Sequence, residues 1–202
     1  DYLLSVVPSE MPPTWQLEAL KAQAVAARTY AAYHITNSKA GLYDLETDTN
    51  SQVYSGIKAE NLNSTRAVKE TTSQIMVYNN RPIKAFFHSH SGGITESPEK
   101  VWGQKVDYLK SVKSEFCNLS KPLEWELKLD LATLSGKLNK FSVGDIMDIK
   151  VLETTPSGRV ASLAIQGENG NAIVSGQEFR SLIGSMRIKS LLFDVIESDN
   201  IY

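Results

Sequence analysis

Residues 17–30 read LEALKAQAVAARTY. Leucine, alanine and isoleucine recur at three- and four-residue spacings as far as Ile35, and this periodicity predicts one amphipathic helix. Thr14 is the expected N-cap, and Glu18 places a negative charge near the positive end of the helix dipole. The helix is expected to end within residues 37–41. Because alanine fills most of the pattern, another element can pack close to the helix backbone.

The order of the predicted elements, with helices early and strands late in the chain, predicts an α+β fold. An Ala-rich helix and hairpin region is expected to pack with a strand-rich C-terminal half and form a substrate groove. Residues 1–202 are expected to be one domain, with a subdivision near 113–123. The other expected elements are a strand-like stretch before Glu10, a helix at 60–72, hairpin strands at 74–78 and 83–89 around Asn79-Asn80, strands at 125–129, 149–153, 160–165, 172–175 and 191–196, and helices at 131–138 and 177–183.

Composition excludes several classes of protein. The 202 residues are 42% hydrophobic and 22% charged, as in a folded globular protein. A net charge of −2 argues against a broad electrostatic grip on nucleic acid. The single cysteine, Cys117, excludes an intrachain disulfide and a multi-cysteine zinc site. No apolar run reaches the roughly 18 residues that cross a bilayer.

Two glutamates near the first helix are candidate catalytic groups. Glu10 lies between an apolar stretch and a helix start, where partly apolar surroundings suit a general acid. From the residues alone, a loop surface position is the favoured interpretation of Glu10. Glu18 fits a surface position facing Lys21 one turn later.

Two histidines offer a different chemistry. His88 and His90 alternate, so on a strand both would face one side and could bind a metal. No cysteine lies nearby, and the third histidine, His34, is distant in sequence. Asp44 and Asp48 could complete a metal site, but nothing in the sequence requires it. A Ser-His-Asp hydrolase is a weaker alternative because the chain has no Gly-x-Ser-x-Gly elbow.

A glycine-rich loop precedes a tryptophan. Gly92-Gly93 lets backbone approach a ligand closely, and the face of Trp102 can pack either on a sugar ring or in a core. Glu96 and Glu99 are two further carboxylates in this region. Paired carboxylates in a cleft would indicate glycoside chemistry, but their spacing along a loop fixes no distance.

Several segments together, in this order and spacing, resemble the SpoIID/LytB family. They are VPSEMP at 7–12, the helix at 17–30, SQVY at 51–54, SHSGGITE at 89–96 and VWG at 101–103. The resemblance covers roughly residues 1 to 112. Residues 155–160 and 174–180 are also similar to the family, with less distinctive motifs.

The resemblance implies a lytic transglycosylase that cleaves the MurNAc-β-1,4-GlcNAc bond of peptide-free glycan strands in peptidoglycan. The family's catalytic glutamate precedes Met-Pro, which here makes Glu10 the single acid/base. No cofactor is implied. The residues that we expect to contact substrate are Gln23, Arg28, Gln52, Tyr54, Ser91 and Trp102.

The resemblance leaves one alternative open, a non-catalytic amidase enhancer or glycan-binding regulator. Either role implies an extracytoplasmic protein of the bacterial envelope whose partners are glycan strands and a cell-wall amidase. Membrane contact is expected only through an anchor that precedes Asp1. Some relatives bind zinc through histidine and cysteines before Gln-Val-Tyr, but Ser51 stands here where a cysteine would be, so we expect no zinc in the loop 43–51.

Overall fold

The computed structural model describes residues 1–38, 41–119 and 124–197. Its helices and small antiparallel sheets confirm the α+β class. The chain divides into two compact units, Asp1–Ser89 and His90–Tyr202. Within the described residues, no helix combines the length and apolar character needed to span a membrane.

Three helices build the first unit. They are α1 (Tyr2–Glu10), α2 (Leu17–Asn37) and α3 (Leu62–Glu70), and α1 packs against both of the others. Alanines of α2 and α3 let the helix backbones approach closely. The buried residues at their junction are Val7, Leu20, Ala24 and Ala67.

The strand-like reading of the stretch before Glu10 is wrong, because residues 2–10 form helix α1. Val6, Val7 and Pro8 are poor helix formers, and they gave the stretch its strand-like character. However, Leu3, Val6 and Val7 share one helical face by their spacing, and Val6 and Val7 are fully buried. Tertiary packing therefore decides the structure against local preference.

The start of α2 also differs from the prediction. The helix begins at Leu17 with Gln16 at the N-cap, so Thr14 lies in the preceding turn and does not cap it. The turn is closed by a hydrogen bond from Trp15 N to Pro12 O. The expected C-terminus is confirmed at Asn37, and helix 60–72 is confirmed as α3, capped by the side chain of Asn61.

The expected hairpin is present but short. Strands β1 (Val77–Tyr78) and β2 (Arg81–Pro82) pair in antiparallel fashion, and Asn79 and Asn80 both have positive φ, as a two-residue turn requires. Residues 83–89 do not form the expected strand. Beyond Pro82, one further backbone hydrogen bond joins the two segments, from the Ile83 N–H to Met76 O at 3.2 Å.

The second unit has its own core. A three-stranded antiparallel sheet in the order β3-β4-β5 packs against two of its helices, and the buried side chains of all five elements form one cluster. These five elements are β3 (Ile146–Thr154), β4 (Val160–Gly167), β5 (Gly170–Ser175), α5 (Leu131–Leu138) and α6 (Gly176–Ile183). A short helix, α4 (Pro98–Trp102), precedes them in the chain. The predictions for 131–138, 149–153, 160–165, 172–175 and 177–183 are confirmed, with ends that differ by a few residues at most.

Two expected strands of this unit are wrong. Residues 125–129 alternate between exposed and more buried side chains, as predicted, but they belong to no strand, and neither do residues 191–196. Alternation reports that one side of an extended segment is buried. It does not report a hydrogen-bonding partner, and a strand requires one.

Candidate active site

Glu10 is the last residue of α1, and the sequence after it explains why. Met11 precedes Pro12, and the proline ring disfavours helical backbone at the residue before it. Met11 is accordingly extended, with φ −139° and ψ 131°. The Met-Pro pair therefore ends the helix directly after Glu10 and leaves that side chain half-buried on its last turn.

The Glu10 carboxylate is held by one of its two oxygens. The Val53 N–H donates to Oε1 at 2.8 Å. Among the residues that the structure describes, Oε2 has no hydrogen-bond partner. One oxygen thus fixes the position of the group, while the other remains available for chemistry.

The segment that supplies Val53 is fastened along α1. The Ser55 N–H donates to Ser5 Oγ at 3.0 Å, and Ser9 Oγ lies 3.1 Å from Ser55 Oγ. Ser5 and Ser9 are four residues apart and therefore share one helical face. This polar face of α1 was missed in the sequence, because its spacing is recognisable only once the stretch is read as a helix.

Gln52 and Tyr54 flank Val53, and both contact Tyr2. The Tyr2 hydroxyl donates to Gln52 Oε1 at 3.1 Å, and the Tyr2 ring stacks on Tyr54 with centroids 5.8 Å apart and planes at 6°. Gln52 is 0% exposed and Tyr54 is 41% exposed. The structure thus brings Glu10, Gln52 and Tyr54 together, and it adds Tyr2, which sequence reasoning did not single out.

Burial of Tyr2 widens the pH range over which its hydroxyl is a hydrogen-bond donor. Burial raises the pKa of Tyr2 to about 12, with further contributions from Glu10 and Tyr30. A tyrosine hydroxyl is protonated at neutral pH even at its ordinary pKa of about 10, and the raised pKa keeps it a donor to the amide oxygen of Gln52 at higher pH as well.

Arg28 and Gln23 lie on α2 and are held differently. Arg28 donates to Gln74 O, Val68 O and Thr71 Oγ1 at 3.0–3.3 Å, which ties α2 to the end of α3. Gln23 is buried, and its Nε2 has no hydrogen-bond partner within the described ranges. Neither geometry indicates direct contact with a ligand.

Ser91 and Trp102 belong to the second unit. Ser91 is buried, and its Oγ lies 2.9 Å from Cys117 Sγ. Hydrogen bonds with Ser114 and Ser91 lower the pKa of the Cys117 thiol to about 7. Trp102 ends α4 and is 46% exposed, so it is not the buried core aromatic that the sequence left open.

Glu96 is engaged in a structural network. Its Oε2 accepts from Thr155 Oγ1 at 2.5 Å and from Ser157 Oγ at 2.7 Å, and its Oε1 accepts from Ser97 N at 2.8 Å. Burial raises the pKa of Glu96, but these hydrogen bonds outweigh it, so the net pKa lies below its ordinary value. Arg159 completes the network by donating to Ser91 O and Ile94 O. The carboxylate therefore fastens the glycine-rich loop to the β3–β4 turn.

The geometry gives no support to a metal site at the histidines. His88 and His90 do not lie on the strand that would have aligned them. His90 Nδ1 accepts from the Gly92 N–H at 3.0 Å. In the described part of the chain, no three His, Cys, Asp or Glu side chains are grouped so that they could hold a metal ion.

Comparison with known proteins matches two parts of the chain to family models. The SpoIID family, described as stage II sporulation protein, matches residues 1–78, which include Glu10, Gln52 and Tyr54. A domain of unknown function (DUF8618) matches residues 120–201.

Three curated relatives extend this similarity. An uncharacterized protein of Brachyspira hyodysenteriae is 36% identical over 99% of this chain and 54% of its own length. Stage II sporulation protein D of Bacillus subtilis is 32% identical over 91% of this chain and 57% of its own length. The amidase enhancer of Bacillus subtilis is 37% identical over 68% of this chain and 22% of its own length. The chain thus spans about half the length of the first two relatives.

Proposed function

The chain belongs to the SpoIID family, and from this membership we propose that it is a lytic transglycosylase of bacterial peptidoglycan. The observation that carries the proposal is the state of Glu10. One carboxylate oxygen is anchored by the Val53 N–H, and the other has no partner among the described residues. A group that is both fixed and available meets the geometric requirement for acid–base catalysis.

The reaction needs only one carboxyl group. Protonated Glu10 donates its proton to the oxygen that bridges MurNAc and GlcNAc, and the MurNAc anomeric carbon gains oxocarbenium character as that bond breaks. The resulting carboxylate then accepts the proton of the MurNAc 6-hydroxyl. The 6-oxygen attacks the anomeric carbon and closes a 1,6-anhydro ring. No water is consumed, because the nucleophile belongs to the substrate.

The network around Glu96 supports a single-carboxylate mechanism. A hydrolase of the usual type needs a second carboxyl group as base or nucleophile. Glu96 was one candidate, but its two oxygens together accept three hydrogen bonds within the second unit. This structural role argues against Glu96 as the second carboxyl group of a hydrolase.

The residues proposed to contact substrate differ in their solvent exposure. Tyr54 and Trp102 present partly exposed aromatic rings, which suit the faces of sugar residues. Gln52 is fully buried, so in this structure its role is to position the neighbouring backbone. We assign the protein to the extracytoplasmic side of the envelope, where glycan strands and a cell-wall amidase would be its partners.

A second function is favoured by one finding. The similarity to a protein named amidase enhancer is compatible with a non-catalytic protein that binds glycan and regulates another enzyme. Such a protein could keep the fold and the Tyr54 surface without using Glu10 as an acid.

Incubation of the pure protein with peptide-free glycan strands distinguishes the two. We expect soluble fragments whose new MurNAc ends lack one water by mass spectrometry, as 1,6-anhydro closure requires. Ordinary reducing ends would indicate a hydrolase. Co-sedimentation with intact strands, without release of fragments, would favour the regulator.

A further inference from the structure

We propose that Tyr2 is a positioning residue of this site, which holds the peptide group that in turn holds Glu10. This inference rests on the proposed function for its effect on catalysis, but its structural part stands independently. Nothing in the sequence motifs assigns a role to Tyr2, which lies at the opposite end of α1 from Glu10.

Tyr2 and Glu10 are too far apart along α1 for Tyr2 to position Glu10 by direct contact. At a rise of 1.5 Å per residue, the eight steps from Tyr2 to Glu10 cover about 12 Å. The segment 52–54 bridges this distance, because it contacts both ends of α1.

Tyr2 contacts the residue on each side of Val53. Its hydroxyl donates to the Gln52 side chain at 3.1 Å, and its ring stacks on Tyr54. The N–H that binds Glu10 belongs to the peptide group joining Gln52 to Val53. Two contacts from one side chain therefore restrict the backbone at the point where Glu10 is anchored.

The burial of Gln52 makes the hydroxyl contact decisive. Gln52 is 0% exposed, and within the described residues its Nε2 has no hydrogen-bond partner. The bond from Tyr2 is therefore the contact that orients this amide. Without it, the amide oxygen would lose its donor in a place that water does not reach, and the side chain would have reason to turn.

The Tyr2→Phe variant removes the hydroxyl and keeps the stacked ring. We expect kcat for glycan cleavage to fall about 10- to 100-fold, since displacement of a catalytic group by about 1 Å can cost roughly 10²-fold. KM should change little, because the Tyr54 surface remains. Gln52→Met removes the acceptor at similar length and should reproduce the loss of kcat. Tyr43→Phe, in the exposed loop of the same unit, is the matched control and should behave as wild type.

A second readout does not depend on activity. In wild type, the Val53 amide resonance should shift as Glu10 titrates, because the two groups are hydrogen-bonded. In Tyr2→Phe and in Gln52→Met this response should be reduced, while in Tyr43→Phe it should be unchanged. The Val53 measurement tests the positioning role of Tyr2 even if the wild-type protein does not cleave glycan. Absence of cleavage would overturn the proposed function and would leave the positioning role to be judged by this measurement.

The proposal is overturned if folded Tyr2→Phe keeps both wild-type kcat and the full Val53 response. It is also overturned if Tyr2→Phe lowers kcat while Gln52→Met does not, because the effect would then not pass through Gln52. If Tyr2→Phe fails to fold, Gln52→Met carries both measurements, and wild-type behaviour of that variant contradicts the proposal.

Discussion

Glu10 and Glu18 show how two glutamates of one segment receive different roles. The Glu18 side chain is 81% exposed and pairs with Lys21 at 2.8 Å, which confirms the surface position predicted from its spacing. Glu10 is half-buried and anchored through Val53, forty-three residues away in the chain. Sequence spacing reports the first contact because it is local. It cannot report the second, which depends on where the segment 52–54 crosses α1.

The charge of Glu96 is expected to contribute to the stability of the folded protein, and this contribution can be tested. Its folded-state pKa lies below its ordinary value, so the ionised form stabilises the folded state. This contribution is fully present above the unfolded-state pKa and is lost as the pH falls through the folded-state pKa. We expect Glu96→Gln to lower the free energy of unfolding by about 2 kcal/mol at pH 6, the order of a hydrogen bond to a charged group, and by much less near pH 3.

Urea unfolding of wild type and Glu96→Gln at both pH values measures this difference. Glu168→Gln, at an exposed turn of the same unit, is the control and should change little at either pH. An equal loss at pH 6 and pH 3 for Glu96→Gln would mean that the charge of Glu96 does not contribute.

At the scale of elements, the sequence predicted best where local and tertiary signals agree. Helix α5 begins directly after Asp130, whose side chain accepts from Thr133 N, and both the composition and the packing of residues 131–138 favour a helix. In α1 the signals conflict, and burial of Val6 and Val7 prevails over their β propensity. The strand predicted at residues 125–129 is wrong for another reason, because alternation indicates burial on one side and does not indicate a strand partner.

Gly176 provides a test at this scale, where α6 starts close to β4. A Cβ at Gly176 would lie 2.2 Å from the backbone oxygen of Val160. Val160 is itself held in place, because its N–H donates a hydrogen bond to Leu191 O. Because backbone cannot move aside as a flexible side chain can, we expect Gly176→Ala to destabilise the protein by about 3 kcal/mol.

Gly136, inside α5, is the matched control. A Cβ there meets nothing within 4 Å, so Gly136→Ala should stabilise the protein by about 0.5–1 kcal/mol through the higher helix propensity of alanine. Thermal melting of both variants gives the comparison. Equal stability of Gly176→Ala and wild type would contradict the close approach of α6 and β4.

At the scale of the whole molecule, the sequence correctly predicted the class and the family, but not the contacts that make a site. The Glu10 and Gln-Val-Tyr motifs could be recognised separately, but the contacts of Tyr2 with Gln52 and Tyr54 could not. The role of Tyr2 depends on the path of residues 52–54 along α1, which no periodicity reports. The second unit, with its own sheet and core, carries Ser91 and Trp102.

Cleavage of peptide-free glycan by wild type, Glu10→Gln and Glu18→Gln tests the central claim most directly, with thermal melting of all three as the check on folding. Glu10→Gln keeps the shape of the side chain but cannot transfer the proton. Since a general acid–base group contributes about 10²–10⁴-fold and Glu10 would serve both steps, anhydro-ended fragments should fall by about 10⁴-fold or more. Glu18→Gln should cleave within a few-fold of wild type. Normal cleavage by a folded Glu10→Gln variant would contradict the account.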